Sequence, residues 1–181
     1  MYDVVLLALG DSPDTGGCGG GGCGPGGCGG AGAAAPASRV PVRACADALT
    51  AAGARVDCVT ACSDAEIDAV LARLDGPPRA DGLPWPDLDG KTRLVVATAA
   101  TGQLRAVLRR LVRRYAPPPS RRPDDLPARR TVPDLPPVGL LPLDPTTGAG
   151  RTPAAEPTAD LAALLDLPRT PAEVAGAVLG D

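Results

Sequence analysis

Several residue types are scarce or absent in this chain of 181 residues. It has no histidine and no phenylalanine, and only one tryptophan, one methionine and two tyrosines. The missing histidine excludes the common zinc sites that combine cysteine with histidine. The shortage of aromatic rings leaves little that could stack on nucleic acid bases. We therefore expect no nucleic acid partner.

Long apolar runs are also missing. No segment approaches the length of a transmembrane helix, and the chain starts without the basic segment of a secretion signal. The short apolar run at 4–9 is typical of a buried strand. These features predict a cytoplasmic protein, whose six cysteines are not expected to form a disulfide framework. The formal charge of −3 gives no general attraction to nucleic acid or anionic membranes.

The hydrophobic pattern alternates between strands and helices. It predicts strands at 4–9, 54–60, 93–98 and 138–143, with helices at 40–52, after Ser63, at 103–115, at 159–165 and after Thr170. Ser63 and Thr170 are each followed three residues later by glutamate, which is the pattern of a capping box. We therefore expect a single α/β domain over 1–181, with a parallel sheet between two helical layers.

Two segments are expected to lie outside this framework. The segment 16–37 is rich in glycine and cysteine and is predicted to be a flexible insertion. The segment 116–137 is rich in proline and arginine and is predicted to be a surface loop. Between the second and third predicted strands, Pro77 to Gly90 is also interpreted as loop.

The predicted helix at 103–115 has two distinct patterns. Its apolar residues repeat on one face, and they are Leu104, Val107, Leu108, Leu111 and Val112. Arg105, Arg109 and Arg113 repeat every four residues, and further arginines follow in the loop. The arginines could contact the phosphates of a nucleotide or a lipid head group. The alternative is an ordinary solvated helix face.

Three of the predicted strands are followed by loops that carry a recognisable pattern. After the first strand comes Ser12-Pro13-Asp14-Thr15-Gly16-Gly17, and after the third comes Ala99-Ala100-Thr101-Gly102-Gln103. Gly139 to Leu143 leads into the loop that begins at Asp144. This series resembles bacterial diacylglycerol and lipid kinases, of the NAD kinase and diacylglycerol kinase superfamily, whose loops read NPxSGG, GGDGT and GTxND.

The resemblance implies a nucleotide-binding lobe that uses ATP and magnesium to phosphorylate a lipid hydroxyl. The β-rich second lobe of that family is absent from this chain and could be supplied by a partner chain. The residues that the resemblance places at the nucleotide are Ser12, Pro13, Thr15, Gly16, Gly17, Thr101, Gly102 and Gln103. Glycines and a hydroxyl are suited to this role because they let backbone N–H groups approach a phosphate.

The chain departs from the family at its most reactive positions. Thr101 stands where the family has an acidic residue, and the third loop keeps neither its glycine-threonine pair nor its asparagine-aspartate pair. We therefore expect a degenerate kinase-like domain that binds a nucleotide or another phosphate compound, and we assign no catalytic residue. The alternative for the first loop alone is a simple polar turn.

A different class of function is suggested by Cys18, Cys23 and Cys28, which lie in the tract CGGGGCGPGGCGG. Three thiolates could bind Zn²⁺ or Cu(I), or act as a redox sensor. Their spacing is not that of common zinc sites, and Cys58 and Cys62 are the nearest candidates for a further ligand. Cysteines carried incidentally by a glycine-rich insertion are the alternative. A structural or interaction protein without either ligand is the third hypothesis.

Overall fold

The protein is an open α/β fold built on one parallel sheet. The computed structural model describes residues 2–10, 36–87, 91–121, 126, 130–144 and 157–180, with the backbone alone at 36–39. The strands are β1 (Asp3–Leu9), β2 (Arg55–Ala61), β3 (Thr92–Thr98) and β4 (Val138–Pro142). All pairings between these strands are parallel, and the strand order is β2-β1-β3-β4. The predicted parallel sheet is confirmed, with every strand end within one residue of its expected position.

Five α-helices in the described part of the chain cover the two faces of this sheet. They are α1 (Pro36–Ala51), α2 (Asp64–Leu71), α3 (Thr101–Tyr115), α4 (Thr158–Leu164) and α5 (Pro171–Leu179). Helices α1 and α5 pack on one face, in a core that contains Leu6, Leu49 and Val178. Helices α2, α3 and α4 pack on the other face, in a core that contains Leu7 and Leu111. Neighbouring residues of β1 enter different cores because strand side chains alternate between faces.

The central strands β1 and β3 are the most apolar part of the sheet. Residues 4–7 of β1 and 94–98 of β3 are buried, as expected for strands that are covered on both faces. Strand β2 lies at one edge, and Arg55, Asp57 and Cys58 are exposed there. None of the helices in the described part of the chain is long and apolar enough to cross a membrane.

Both predicted capping boxes are present. The hydroxyl of Ser63 accepts from the Glu66 N–H at the start of α2, and Thr170 and Glu173 make the same arrangement at α5. The backbone N–H of Cys62 donates to the Glu66 carboxylate and lowers the pKa of that group below its usual value. These helix starts were predictable because a capping box needs only residues that are close in sequence.

Three predictions about helices and loops were inaccurate. Helix α1 begins at Pro36 rather than at residue 40, so Pro41 lies inside it, where proline cannot donate the helical hydrogen bond. Helix α3 begins at Thr101, two residues before the predicted start. The loop at 116–137 is not wholly superficial, because Leu126 is only 5% exposed.

The predicted apolar face of α3 is too wide. Leu104, Val107 and Leu111 are buried, but Leu108 is 39% exposed and Val112 is 41% exposed. The neighbouring helices therefore cover only part of the apolar face that the helical period predicts.

Arginines on the opposite flank of α3 bind acidic residues of α2 and of the chain that follows it. Arg110 donates to Asp64 and Asp68, with N–O distances of 2.8 and 2.7 Å. Arg114 donates to Asp75, and the buried Tyr115 hydroxyl donates to the same carboxylate at 3.1 Å. The hydrogen bond to Asp75 raises the pKa of Arg114. These contacts fix the position of α3, and with it the start of the helix, beside the sheet.

Candidate functional site

The strand order creates a topological switch point at the carboxyl ends of β1 and β3. Strand β1 continues toward β2 through α1 on one face, whereas β3 continues to β4 through α3 on the opposite face. The two connections therefore leave these neighbouring strands in opposite directions. In open parallel sheets, this point of divergence is where ligands bind.

The start of α3 faces this edge of the sheet and has unused hydrogen-bond donors. Ala100 occupies the N-cap position and makes no side-chain cap. The N–H groups of Gln103 and Leu104 both donate to the Ala100 carbonyl oxygen, with N–O distances of 3.1 and 3.3 Å. Those of Thr101 and Gly102 have no acceptor among the residues that the structure describes. Free N–H groups and the helix dipole together favour an anion at this position.

Gly102 leaves the backbone open to the outside. A Cβ atom built at this residue would meet no heavy atom of the described residues within 4 Å, leaving aside its chain neighbours and the backbone of its own helix. Its φ angle is not in the left-handed region either. Neither packing nor backbone conformation therefore requires glycine here. What glycine does provide is an unobstructed approach to the first turn of α3.

Thr98 organises the connection between β3 and α3. Its side chain is fully buried, and its hydroxyl donates to Gln103 Oε1 at 2.5 Å while accepting from the Ala100 N–H at 3.3 Å. This holds the carboxamide of Gln103 against the end of the strand. The amide nitrogen of Gln103 has no acceptor in the described part of the molecule and can serve as a further donor.

The start of α4 is hydrogen-bonded to the segment between β3 and α3. The Thr158 hydroxyl donates to the Thr98 carbonyl at 2.5 Å, and the Thr158 N–H donates to the Ala99 carbonyl at 3.1 Å. The Leu143 N–H also donates to the Thr98 carbonyl, at 2.9 Å. The segment that precedes α3 is thus fixed by β4 and α4 before any ligand is present.

Gly10 follows the last residue of β1, on the other side of the switch point. Its N–H donates to the Ala61 carbonyl at 3.0 Å, and a Cβ atom here would lie 2.8 Å from the Cys62 sulfur. A side chain at this position would therefore require the Cys62 thiol to move.

The sequence-predicted site residues fall into two groups. Thr101, Gly102 and Gln103 lie together in the first turn of α3. The first-loop residues lie outside the described residues, and they are Ser12, Pro13, Thr15, Gly16 and Gly17. The structure thus places the second-loop residues in one helix turn, and the nucleotide assignment of both groups stays a prediction.

Sequence reasoning missed Thr98 and Thr158 as parts of this site. The signal for Thr98 was available, because it is the one polar residue that ends an otherwise apolar run. A hydroxyl at the end of a buried strand needs a partner nearby. No comparable signal was present for Thr158, whose partners are distant in sequence.

The described residues do not form a dedicated magnesium site. The described residues that directly follow β1, β3 and β4 include a single carboxylate, that of Asp144. The others are Gly10, Ala99, Ala100 and Leu143. Magnesium is usually held by carboxylates together with substrate phosphates and water. Within this part of the protein, any magnesium would therefore rely on the phosphates of its ligand.

The cysteine hypothesis concerns residues that are mostly outside the described chain. Cys18, Cys23 and Cys28 are not among the described residues. Cys45 is buried on α1, where desolvation, and then the neighbouring Cys58, raise the pKa of its thiol to about 11. Within the described ranges, no group of three or more histidine, cysteine, aspartate or glutamate residues could hold a metal ion. Zinc or copper binding by the tract stays a prediction.

These observations define the protein as an open α/β domain with an exposed helix start at its switch point. No protein-family model, no curated protein and no solved structure matches the chain. The proposal that follows therefore depends on the geometry of the site and on the loop resemblance alone.

Proposed function

We propose that this chain is a binding domain for a phosphate-containing ligand, with a nucleotide as its ligand. In this proposal the phosphates lie between the ends of β1 and β3, against the first turn of α3. The observation that carries it is the start of α3, where Thr101 and Gly102 present N–H groups without acceptors in the described chain. The open approach at Gly102 and the spare donor of Gln103 support the same position.

The resemblance to diacylglycerol and lipid kinases supports a nucleotide as the source of the phosphates. In that family the corresponding loop carries an acidic residue, and this chain has Thr101 instead. A threonine hydroxyl cannot supply the negative charge that organises magnesium around ATP. We therefore propose binding without turnover by this chain. A partner chain that supplies a second lobe would be needed for phosphoryl transfer to a lipid hydroxyl.

Calorimetric titration of the full chain, reduced and free of metal, tests this proposal. ATP, tripolyphosphate and adenosine are titrated separately, with and without magnesium. We expect saturable binding of ATP, weaker binding of tripolyphosphate and none of adenosine. Binding of tripolyphosphate as tight as that of ATP would instead identify a general phosphate site and reject the nucleotide.

Two substitutions at Gly102 locate the ligand. Gly102→Asp and Gly102→Asn add side chains of equal size, and only the aspartate carries a charge. A carboxylate in the first turn favours the helix but repels a phosphate at the same place. We expect Gly102→Asp to weaken ATP binding at least about tenfold more than Gly102→Asn, with thermal stability preserved in both. Equal affinities of the two variants for ATP would place the nucleotide elsewhere.

A further inference from the structure

The outward face of α3 combines exposed positive charge with partly exposed apolar side chains. Arg105, Arg109 and Arg113 are exposed and follow one another at intervals of four residues. Leu108 and Val112 lie between them, 39% and 41% exposed. We call these five residues the α3 stripe. Arginines and apolar residues at these intervals form one continuous face of a helix.

Among the residues that the structure describes, no acidic side chain pairs with the arginines of the α3 stripe. Helix α3 contains no acidic residue, so no partner is available one turn away. Arg110 and Arg114, on the flank that faces α2, bind Asp64, Asp68 and Asp75. The stripe arginines make no ion pair with any residue in the described part of the chain. The stripe is therefore a local positive surface on a protein whose formal charge is −3.

The size and shape of the stripe fit a single helix. Its first and last arginines are eight residue steps apart, which corresponds to about 12 Å along the axis. An opposing helix with acidic residues at four-residue intervals would place a carboxylate near each arginine, and its apolar residues would cover Leu108 and Val112. Charged residues beside an apolar seam select partners in the same way in coiled coils.

Other occupants suit the stripe less well. A second copy that used the same face would bring six arginine side chains together, and like charges across an interface are unfavourable. A bilayer is usually entered by fully exposed apolar or aromatic side chains, whereas Leu108 and Val112 are less than half exposed. The stripe itself has no aromatic residue that could stack on nucleic acid bases.

We propose that the α3 stripe is a docking surface for an acidic amphipathic helix of a partner protein. The stripe lies on the solvent side of α3, whereas the proposed nucleotide site lies at the start of the helix. Docking at the stripe therefore does not depend on nucleotide binding. Electrostatic attraction would guide the encounter, and the apolar contacts would add specificity.

The test uses a designed peptide as the probe. A fluorescent, alanine-based helix of about 20 residues carries glutamate every four residues with leucines between them, and a control peptide has glutamine in place of each glutamate. Anisotropy titrations measure the binding of both peptides to the full chain at low and high salt. We expect the glutamate peptide to bind and the glutamine peptide to bind at least about tenfold more weakly, with the difference reduced at high salt.

Matched protein variants connect this binding to the stripe. The variant Arg105→Gln, Arg109→Gln and Arg113→Gln removes three charges from α3. The control variant Arg43→Gln, Arg55→Gln and Arg169→Gln removes three exposed charges elsewhere. We expect the first to weaken glutamate-peptide binding at least about tenfold and the control to change it less than about twofold. All six residues are exposed, so melting curves of both variants should match the wild type.

Three results would overturn the inference. The first is a glutamate peptide that does not bind, and the second is a peptide affinity that the two triple variants change equally. The third is binding to vesicles of phosphatidylcholine and phosphatidylglycerol, or to duplex DNA, that is tighter than binding to the glutamate peptide. This binding would be lost in the variant with Arg105, Arg109 and Arg113 replaced and kept in the control variant. That third result would assign the stripe to a lipid or nucleic acid surface instead.

Discussion

Two glycines near the contact between β4 and α5 have opposite roles. A Cβ atom at Gly139 would lie 2.6 Å from Val178 Cγ2 and 3.3 Å from Val95 Cγ2, whereas one at Gly176 would meet nothing within 4 Å. We expect Gly139→Ala to lower the free energy of unfolding by about 1–3 kcal/mol because it overpacks this contact. Gly176→Ala should raise it by about 0.5–1 kcal/mol because alanine favours the helix. Urea denaturation followed by circular dichroism measures both changes.

A double substitution checks the cause of the loss at Gly139. Val178→Ala removes the methyl group that the new Cβ would contact, so it should restore part of the stability lost in Gly139→Ala. A Gly139→Ala variant as stable as the wild type would show that α5 can move away from β4 without cost. Independent, additive losses in the double variant would also contradict the proposed contact.

At the residue scale, the sequence indicated which residues lie at the start of α3 better than it indicated which residues they contact. The glycine at 102 was selected from its loop pattern, and the structure places it at the open start of α3. The bond from Thr98 to Gln103 could not be predicted, because it depends on how the strand end and the helix start meet in space. The glycine at 139 likewise depends on Val178, which is distant in sequence.

Between elements, Asp75 connects the 3-10 turn (Ala72–Leu74) that follows α2 to the last turn of α3. It accepts from Arg114 Nε at 2.7 Å and from the buried Tyr115 hydroxyl at 3.1 Å. Asp75→Ala would leave that hydroxyl without an acceptor, so we expect the free energy of unfolding to fall by about 1–3 kcal/mol. Thermal and urea denaturation of the variant measure this loss.

Asp57→Ala serves as the comparison for Asp75→Ala. Asp57 also binds an arginine, Arg73, but both side chains are about half exposed, and pairs of this kind contribute little to stability. We expect the Asp57 variant to melt close to the wild type. If both variants melted alike, the Asp75 contacts would be worth no more than an ordinary surface pair.

The limits of sequence prediction for whole elements are clearest in α3. The helical period correctly placed Leu104, Val107 and Leu111 in the core, because it reports the direction that each side chain takes. It could not set the width of the buried face, which depends on how far α2 and α4 extend over the helix. Leu108 and Val112 were therefore predicted to face the core, although the structure leaves them partly exposed.

For the whole molecule, alternating strands and helices were enough to predict a parallel sheet, but not its strand order. Each crossover can place the next strand on either side of the growing sheet, and the local sequence does not state which. The residue types of each strand still indicate which strands are central and which lie at an edge. Exposed Arg55 and Asp57 are compatible with an edge strand, whereas the continuous apolar runs of β1 and β3 suit the centre. This order also creates the switch point on which the proposed site depends.

The strand order can be tested by the hydrogen exchange of individual amides. Strand β1 bonds to a neighbour on both sides, so Leu6 and Leu7 should both exchange slowly. In the edge strand β2, the N–H of Arg55 points to β1, and alternation predicts that Asp57 also bonds inward while Cys58 points outward. We expect the Cys58 amide to exchange at least about tenfold faster than that of Asp57, as measured by NMR on the native protein. A Cys58 amide as slow as that of Leu6 would mean that another strand covers this edge, and the order β2-β1-β3-β4 would then be incomplete.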